Sequence, residues 1–203
     1  MTNGHYICPM KRKIFREDIL KAGRDIMFLN GYNATGIKEI TDSIEIPKGS
    51  FYNHFNSKEA FGLEVLQNYT DNGIHWHKKS LIQTKKSPLE SLKELYAQMI
   101  DGYVERGNFD RGCMMSNFST ELADTHPAFR ELLDQQFNEI EAILVSTLIN
   151  AKAKGEISNH IDPHSTGAFI LNSWHGALVR MKSTASEKPL RDFYNLIFST
   201  ILQ

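Results

Sequence analysis

Pro47 fixes the plan of this chain more tightly than any other residue. It stands between two short apolar-periodic stretches, and neither can run through it. Proline suits the first position of a helix, where its missing N–H costs nothing. It also drives Ile46 out of the helical region, which enforces a break. Before the break Ile37 and Ile40 lie three apart, with Ile44 at the end; after it Phe51 and Phe55 lie four apart. Those spacings set apolar groups on facing sides of a helix pair. Ser57 then caps a third helix, with Lys58 and Glu59 in its first turn.

The second short helix turns Lys48, Gly49, Ser50, Tyr52, Asn53 and His54 outward. Apart from the tyrosine ring, this face has no long apolar side chain, and nearly every member donates a hydrogen bond. Such a face can enter a nucleic-acid groove closely. Lys48, Ser50 and Asn53 are the candidates for reading base edges: lysine donates to guanine and asparagine pairs with adenine. Tyr52, His54, Thr35, Lys38 and Lys58 are candidates for positioning on phosphates, with Thr35 also capping the first short helix near a phosphate. His54 has an equal second reading, packing or capping, and Phe51 and Phe55 belong to the core.

The run TGIKEITDSIEIPKGSFYNHFNSKEAF resembles the DNA-binding signature of the TetR family of bacterial transcriptional regulators. The similarity begins at Arg16, with REDILKAGRDIMFLNGYNATG, and covers roughly the first third of the chain. It implies a helix-turn-helix domain over residues 1–57 and a helical effector-binding and dimerisation domain over residues 58–203. Glu45 departs from the pattern. Many relatives carry glycine in this turn, so local strain or a shifted turn is expected.

Composition excludes more than it selects. With 203 residues and 41% hydrophobic content, the chain can bury a core. No run approaches the roughly 18 apolar residues of a membrane helix, and the N-terminus has no apolar signal-peptide region. Two cysteines, Cys8 and Cys113, make no disulfide framework and fit a reducing cytoplasm. Residues 1–60 hold 9 Lys+Arg against 7 Asp+Glu, and the remainder 14 against 17. That bias is too weak to argue DNA binding alone. Residues 1–12 read either as a tail or as an arm whose basic end, Lys11 to Lys13, touches DNA.

The rest of the chain is helical throughout, and the whole reads as all-α with about nine helices. The first spans Phe15 to Asn30, with Gly31 as its C-cap. A helix from Lys58 into the seventies would join the DNA-reading unit to the rest. His75 and His77 in that helix point about 200° apart, which argues against a shared metal. Ser87-Pro88-Leu89-Glu90 starts a helix that Gly107 and Asn108 end. A long amphipathic helix runs from Pro127 to Lys154 and stops at Gly155. Asp162-Pro163 opens the next, and Ser186 caps the last.

The C-terminal part carries no P-loop, dinucleotide glycine motif or G-x-S-x-G, so no enzyme activity and no cofactor are expected. Met99, Tyr103, Met114, Met115, Phe118, Phe137, Trp174 and His175 could line an adaptable apolar cavity for a small-molecule effector; each is also a credible core residue. The run Arg111-Gly112-Cys113-Met114-Met115-Ser116-Asn117 resembles a stretch in a TetR subgroup, the NemR-like electrophile sensors and AcuR-like regulators. In those sensors the matching cysteine is modified. A helix start, with Arg111 or Lys182 nearby, would lower the thiol pKa of Cys113; otherwise it is a buried, inert packing group.

Two copies are expected, because one recognition helix reads too few base pairs. The resemblance implies a four-helix bundle from the last two helices of each subunit, through Phe169, Ile170, Ala177, Leu178, Met181, Phe193, Leu196, Ile197 and Ile201. Alternatively, these residues close the subunit's own core. The function implied is a ligand-responsive regulator, a repressor on a near-palindromic double-stranded operator. A helical enzyme or carrier, or a protein-interaction module, that keeps the helix-turn-helix as scaffolding is the competing class; steep salt dependence of DNA binding separates them.

Overall fold

The structure, a computed structural model, describes residues 15–107 and 109–203. The basic arm, Cys8 and the helix end at Asn108 lie outside the described residues. Those described form helices and no strand: α1 (Arg16–Asn30), α2 (Ile37–Ser43), α3 (Lys48–Tyr52), α4 (Lys58–Leu81), α5 (Pro88–Arg106), α6 (Met114–Leu122), α7 (Pro127–Ala153), α8 (Pro163–Thr184) and α9 (Lys188–Leu196). A π-helical turn, Ile197–Ile201, continues α9. No helix among the described residues is long and apolar enough to cross a membrane.

Capping chemistry places several boundaries. Ser57 accepts from the Ala60 N–H at 3.0 Å, Ser87 from Glu90 at 3.3 Å and Asp162 from Ser165 at 2.9 Å. Each satisfies one of the donors a helix start leaves open. Gly107 (φ 68°) and Gly155 (φ 69°) stop α5 and α7 in the left-handed region. Three starts differ from expectation. Pro47 is the residue before α3 rather than its first. Gly36, not Thr35, precedes α2, and Glu187, not Ser186, precedes α9; the Ser186 hydroxyl still accepts from Lys188 N–H at 3.2 Å.

Glu45 takes the positive φ, 57°. The turn is complete around it: Glu45 N–H donates to Asp42 O at 3.2 Å and Ile46 N–H to Thr41 O at 3.0 Å. These are the two bonds of a Schellman ending, made here with glutamate in the place glycine usually holds. The turn is strained at one residue, not shifted.

The head, α1 to α3 with the start of α4, closes on three rings. Phe51, Phe55 and Phe61 are buried, with centroids 4.7–5.2 Å apart. Gly23 makes this possible, since a Cβ there would lie 2.2 Å from the Phe61 ring. Arg16 pairs with Glu64 and lies 4.6 Å over the Phe55 ring, tying α1 to α4. In the larger body α5, α8 and α9 meet through Tyr96, Trp174 and Phe193, whose rings lie 5.1–5.3 Å apart. Burial holds the Tyr96 hydroxyl well above its usual pKa.

Head and body meet at Tyr32. Its buried ring inserts between α6 and α7, 5.1 Å from Phe129, 5.7 Å from His126 and 6.2 Å from Phe118. Gly31 (φ 84°) turns the chain there, and a side chain at this position would meet the Glu121 carboxylate at 2.8 Å.

Candidate nucleic-acid interface and effector site

Lys48, Gly49, Tyr52, Asn53 and His54 are exposed together at α3 and its end, with Ser50 half-buried beside them. Phe51 and Phe55 turn inward and anchor that face. The Tyr52 ring stands edge-on to Phe51 at 5.4 Å, which steadies its hydroxyl outside. A Cβ at Gly49 would touch nothing within 4 Å, so the subunit's own packing does not require glycine there. Lys38 is 81% exposed and paired with Asp42 on its own helix.

Two phosphate candidates need correction. Thr35 is fully buried and its hydroxyl donates to Gly31 O at 2.7 Å, so it ties the α1–α2 corner and offers no side chain to DNA. Lys58 is half-buried, its ammonium 4.4 Å over the Tyr32 ring and donating to Asn33 O at 3.3 Å. Desolvation lowers its pKa, against the opposing pull of Glu121. It serves the head–body junction.

The body holds a cavity of about 570 Å³, within the usual range for small-ligand sites. Its walls come from α1 (Arg24, Asp25, Phe28), α4, α5, the connection into α6 and that helix's Met115, Ile140 of α7, and α8. Of the residues named from the sequence, Met99, Tyr103, Cys113, Met115, Trp174 and His175 are in the lining. Met114, Phe118 and Phe137 are not. Met114 starts α6 on another side of that helix and is buried in the core; Phe118 belongs to the Tyr32–Phe129 cluster; Phe137 lies behind His175, edge-on at 4.9 Å. Sequence reasoning missed Phe28, Tyr69, Trp76 and His77. All four lie on helices whose apolar residues read as ordinary packing. His77 is buried with Nδ1 2.8 Å from Gly73 O, and burial lowers its pKa.

Cys113 is buried and immediately precedes α6. Burial pushes its thiol up, but a bond to His175 and the charge of that ring pull it down further. The Ser116 amide and the Tyr69 hydroxyl add to this, leaving the thiol at about 7. The Tyr69 hydroxyl lies 3.6 Å from Sγ. His175 is held by Ser116, whose Oγ is 2.7 Å from Nδ1. The agent is therefore His175 rather than the expected Arg111 or Lys182. Lys182 Nζ donates instead to Asn117 Oδ1 at 3.3 Å.

The expected dimer residues divide. Ile170, Ala177, Leu178, Met181, Phe193 and Ile197 are each buried within the subunit, where they pack its own core; Leu178 also lines the cavity. Their helices are apolar on more than one side, and these residues occupy the inner one. Phe169 (46%) and Leu196 (50%) are exposed, as is Val179 (52%), and Ile201 is half-buried.

Known proteins share this fold. The family profile described as "Bacterial regulatory proteins, tetR family" matches residues 19–65, and the one described as "Tetracyclin repressor-like, C-terminal domain" matches residues 88–197. The chain is similar to the HTH-type transcriptional repressor DhaR of Mycobacterium sp. (strain GP1), at 31% identity over 193 residues, 95% of each protein. It is 26% identical over 178 residues to the HTH-type transcriptional repressor NemR of Escherichia coli (strain K12), spanning 87% of this chain and 88% of that protein. The crystal structure of reduced E. coli NemR superposes with a TM-score of 0.83 at 25% identity, covering 90% of this chain and 94% of that one. A regulatory protein TetR from Rhodobacter sphaeroides gives 0.82 at 27%, covering 90% and 95%. Because the likeness runs through the cavity-bearing body as well as the helix-turn-helix head, this chain belongs to the TetR family of bacterial regulatory proteins.

Proposed function

We propose that the protein is a homodimeric repressor that leaves its operator when a small molecule fills the cavity between α1, α4, α5 and α8. One observation carries this reading. The cavity wall includes Arg24, Asp25 and Phe28 of α1, the helix that frames the DNA-reading head, and Trp174 and His175 of α8. An occupant therefore touches both the head and the helix expected at the dimer seam. It acts only if it favours the arrangement that misfits DNA; tight binding without that preference shifts nothing.

The reading divides the chain at Ser57 into a DNA-binding head and an effector-binding, dimerising body. Lys48, Ser50 and Asn53 read bases, and Tyr52, His54 and Lys38 position the head on phosphates. Phe169, Val179 and Leu196 meet a second copy, placing two heads about one helical turn apart on DNA. DhaR and NemR are named as repressors, which supports repression over activation. The test is selection of a binding site from random duplexes, followed by anisotropy measured with the full chain. A shared near-palindrome and steep salt dependence are expected. A strictly monomeric protein, or no enriched site, removes the proposal.

A second mode of release has its own support. The Cys113 thiol lies in the same cavity with its pKa at about 7, so a soft electrophile entering there meets a partly ionised nucleophile. Alkylation of Cys113 that leaves operator affinity unchanged would remove this mode and leave the noncovalent one.

A further inference from the structure

The cavity carries charge that its own walls do not balance. Arg24, Arg106 and Arg111 line it, and Asp25 is the one carboxylate among the described lining residues. Asp25 is taken by its neighbour Arg24, at 3.3 Å. Neither Arg106 nor Arg111 has a carboxylate partner among the described residues, and residues 1–14 contain no Asp or Glu. For a chain of net charge −1 with 24 acidic side chains, unpaired guanidiniums around one apolar cavity call for an explanation.

Their placement supplies one. Arg106 lies over the Tyr103 ring, 4.7 Å from its centroid, and Arg111 over the Phe28 ring at 5.9 Å. A guanidinium resting on a ring face is steadied while its N–H donors at the edge stay free. Both rings lead inward. Phe28 packs on Tyr69 at 5.6 Å, and the Tyr69 hydroxyl reaches Cys113. Tyr103 donates to Gly112 O at 2.7 Å, beside that cysteine. Two aromatic tracks thus run from a free cation to the thiol, with Trp76 and Trp174 in the same lining.

We propose that the cavity takes an organic carboxylate with an apolar or aromatic body. The head sits on Arg106 and Arg111, and the body lies along Phe28, Tyr69, Tyr103 and Trp174 towards Cys113. This rests on the reading of the cavity as the effector site and names the ligand class. A neutral apolar compound would leave the guanidiniums unused, and a cation would meet two like charges with no carboxylate partner among the described residues. A carboxylate matches the two-pronged guanidinium donor directly. A short acid without a body would leave the aromatic walls wet.

Both of the chain's tryptophans line this cavity, so intrinsic fluorescence reports its occupancy. The probes are matched pairs: benzoate and benzamide, 3-phenylpropionate and its amide, 4-phenylbutyrate and its amide. They are titrated into the full chain with and without operator DNA. At least one acid should bind about tenfold or more tighter than its amide, the scale of a charge-assisted hydrogen bond. Arg106→Gln with Arg111→Gln should erase that preference while leaving amide binding in place, and Arg→Lys at both should retain part of it. Unchanged amide binding shows that the variants are folded. Acids no better than amides, a preference that survives both glutamines, or no quenching by any probe each overturns the proposal. Failure of the underlying reading looks different: an acid that binds through both arginines without loosening operator DNA leaves the anion site standing. An amide that releases DNA as well as its acid leaves the effector reading standing without the anion.

Discussion

Glu121, on the last turn of α6, holds the backbone of Tyr32 at the foot of the head. Its Oε2 accepts from Tyr32 N–H at 2.9 Å, and Oε1 accepts from Asn33 N–H at 2.6 Å. The same nine-residue helix begins directly after Cys113. A disturbance at the cavity thus meets the head through one short rigid rod. Bonds to a charged acceptor contribute about 1.5–3 kcal/mol each. Glu121→Ala should lower stability by a comparable amount and uncouple the ends: cavity probes still bind, but operator affinity changes less on binding. Glu121→Gln should fall between. The check is the operator Kd with and without a saturating cavity ligand. Full coupling in Glu121→Ala would assign the transmission elsewhere.

Gly49 separates fold from function. Nothing in the subunit occupies the space where its Cβ would lie, and alanine is the better helix residue by up to about 1 kcal/mol. Gly49→Ala should leave thermal stability equal or higher yet weaken operator binding by about 1 kcal/mol or more, the scale of one lost DNA contact. Thermal melts paired with operator titrations decide it. Unimpaired DNA binding would show that this stretch of α3 stays clear of the groove.

The Cys113 thiol at about 7 sets a pH profile. The thiolate is the attacking form, so alkylation by iodoacetamide should rise about tenfold per pH unit below 7 and level off above it. An ordinary cysteine keeps climbing towards its usual pKa of about 8.5. Mass mapping distinguishes Cys113 from Cys8. His175→Gln should move the midpoint upward, because it removes the group that counters the cost of burial. A Cys113 profile still rising past pH 9 would show that His175 does not act on the thiol.

Glu45 sits at φ 57°, where a side chain costs about 1–2 kcal/mol. Part of that is offset in a glycine variant by the extra freedom of its unfolded chain. Glu45→Gly should therefore stabilise the protein by about 0.5–1 kcal/mol, or about 1–4 °C in Tm for a chain of this size. Calorimetry reads it. A loss of stability would mean that the Glu45 side chain contributes more than its backbone costs.

Local chemistry was legible in the sequence wherever one residue type had one best use. Ser57, Ser87 and Asp162 cap as their positions predict, and Gly107 and Gly155 stop their helices. The strain at Glu45 was readable for the same reason. Thr35 was misread because a threonine hydroxyl serves a cap or a nearby carbonyl equally well, and the choice depends on how Gly31 turns the chain. Met114 and Met115 differ by one step of about 100° around a helix, which puts only the second in the cavity. The His175–Cys113 pair joins α8 to the start of α6, and no spacing rule links such distant positions. On α8 the periodicity marked apolar positions without saying which face the subunit keeps for itself.

One consequence follows from α1 forming part of the cavity wall. Two visitors then compete for the posture of a single helix, although they never touch. Thermodynamic linkage makes that contest symmetrical: whatever factor a cavity occupant subtracts from the grip on DNA, bound DNA subtracts from the grip on the occupant. The promoter this protein guards would thus set the dose at which it is surrendered, and copies resting off DNA would soak up the signal first.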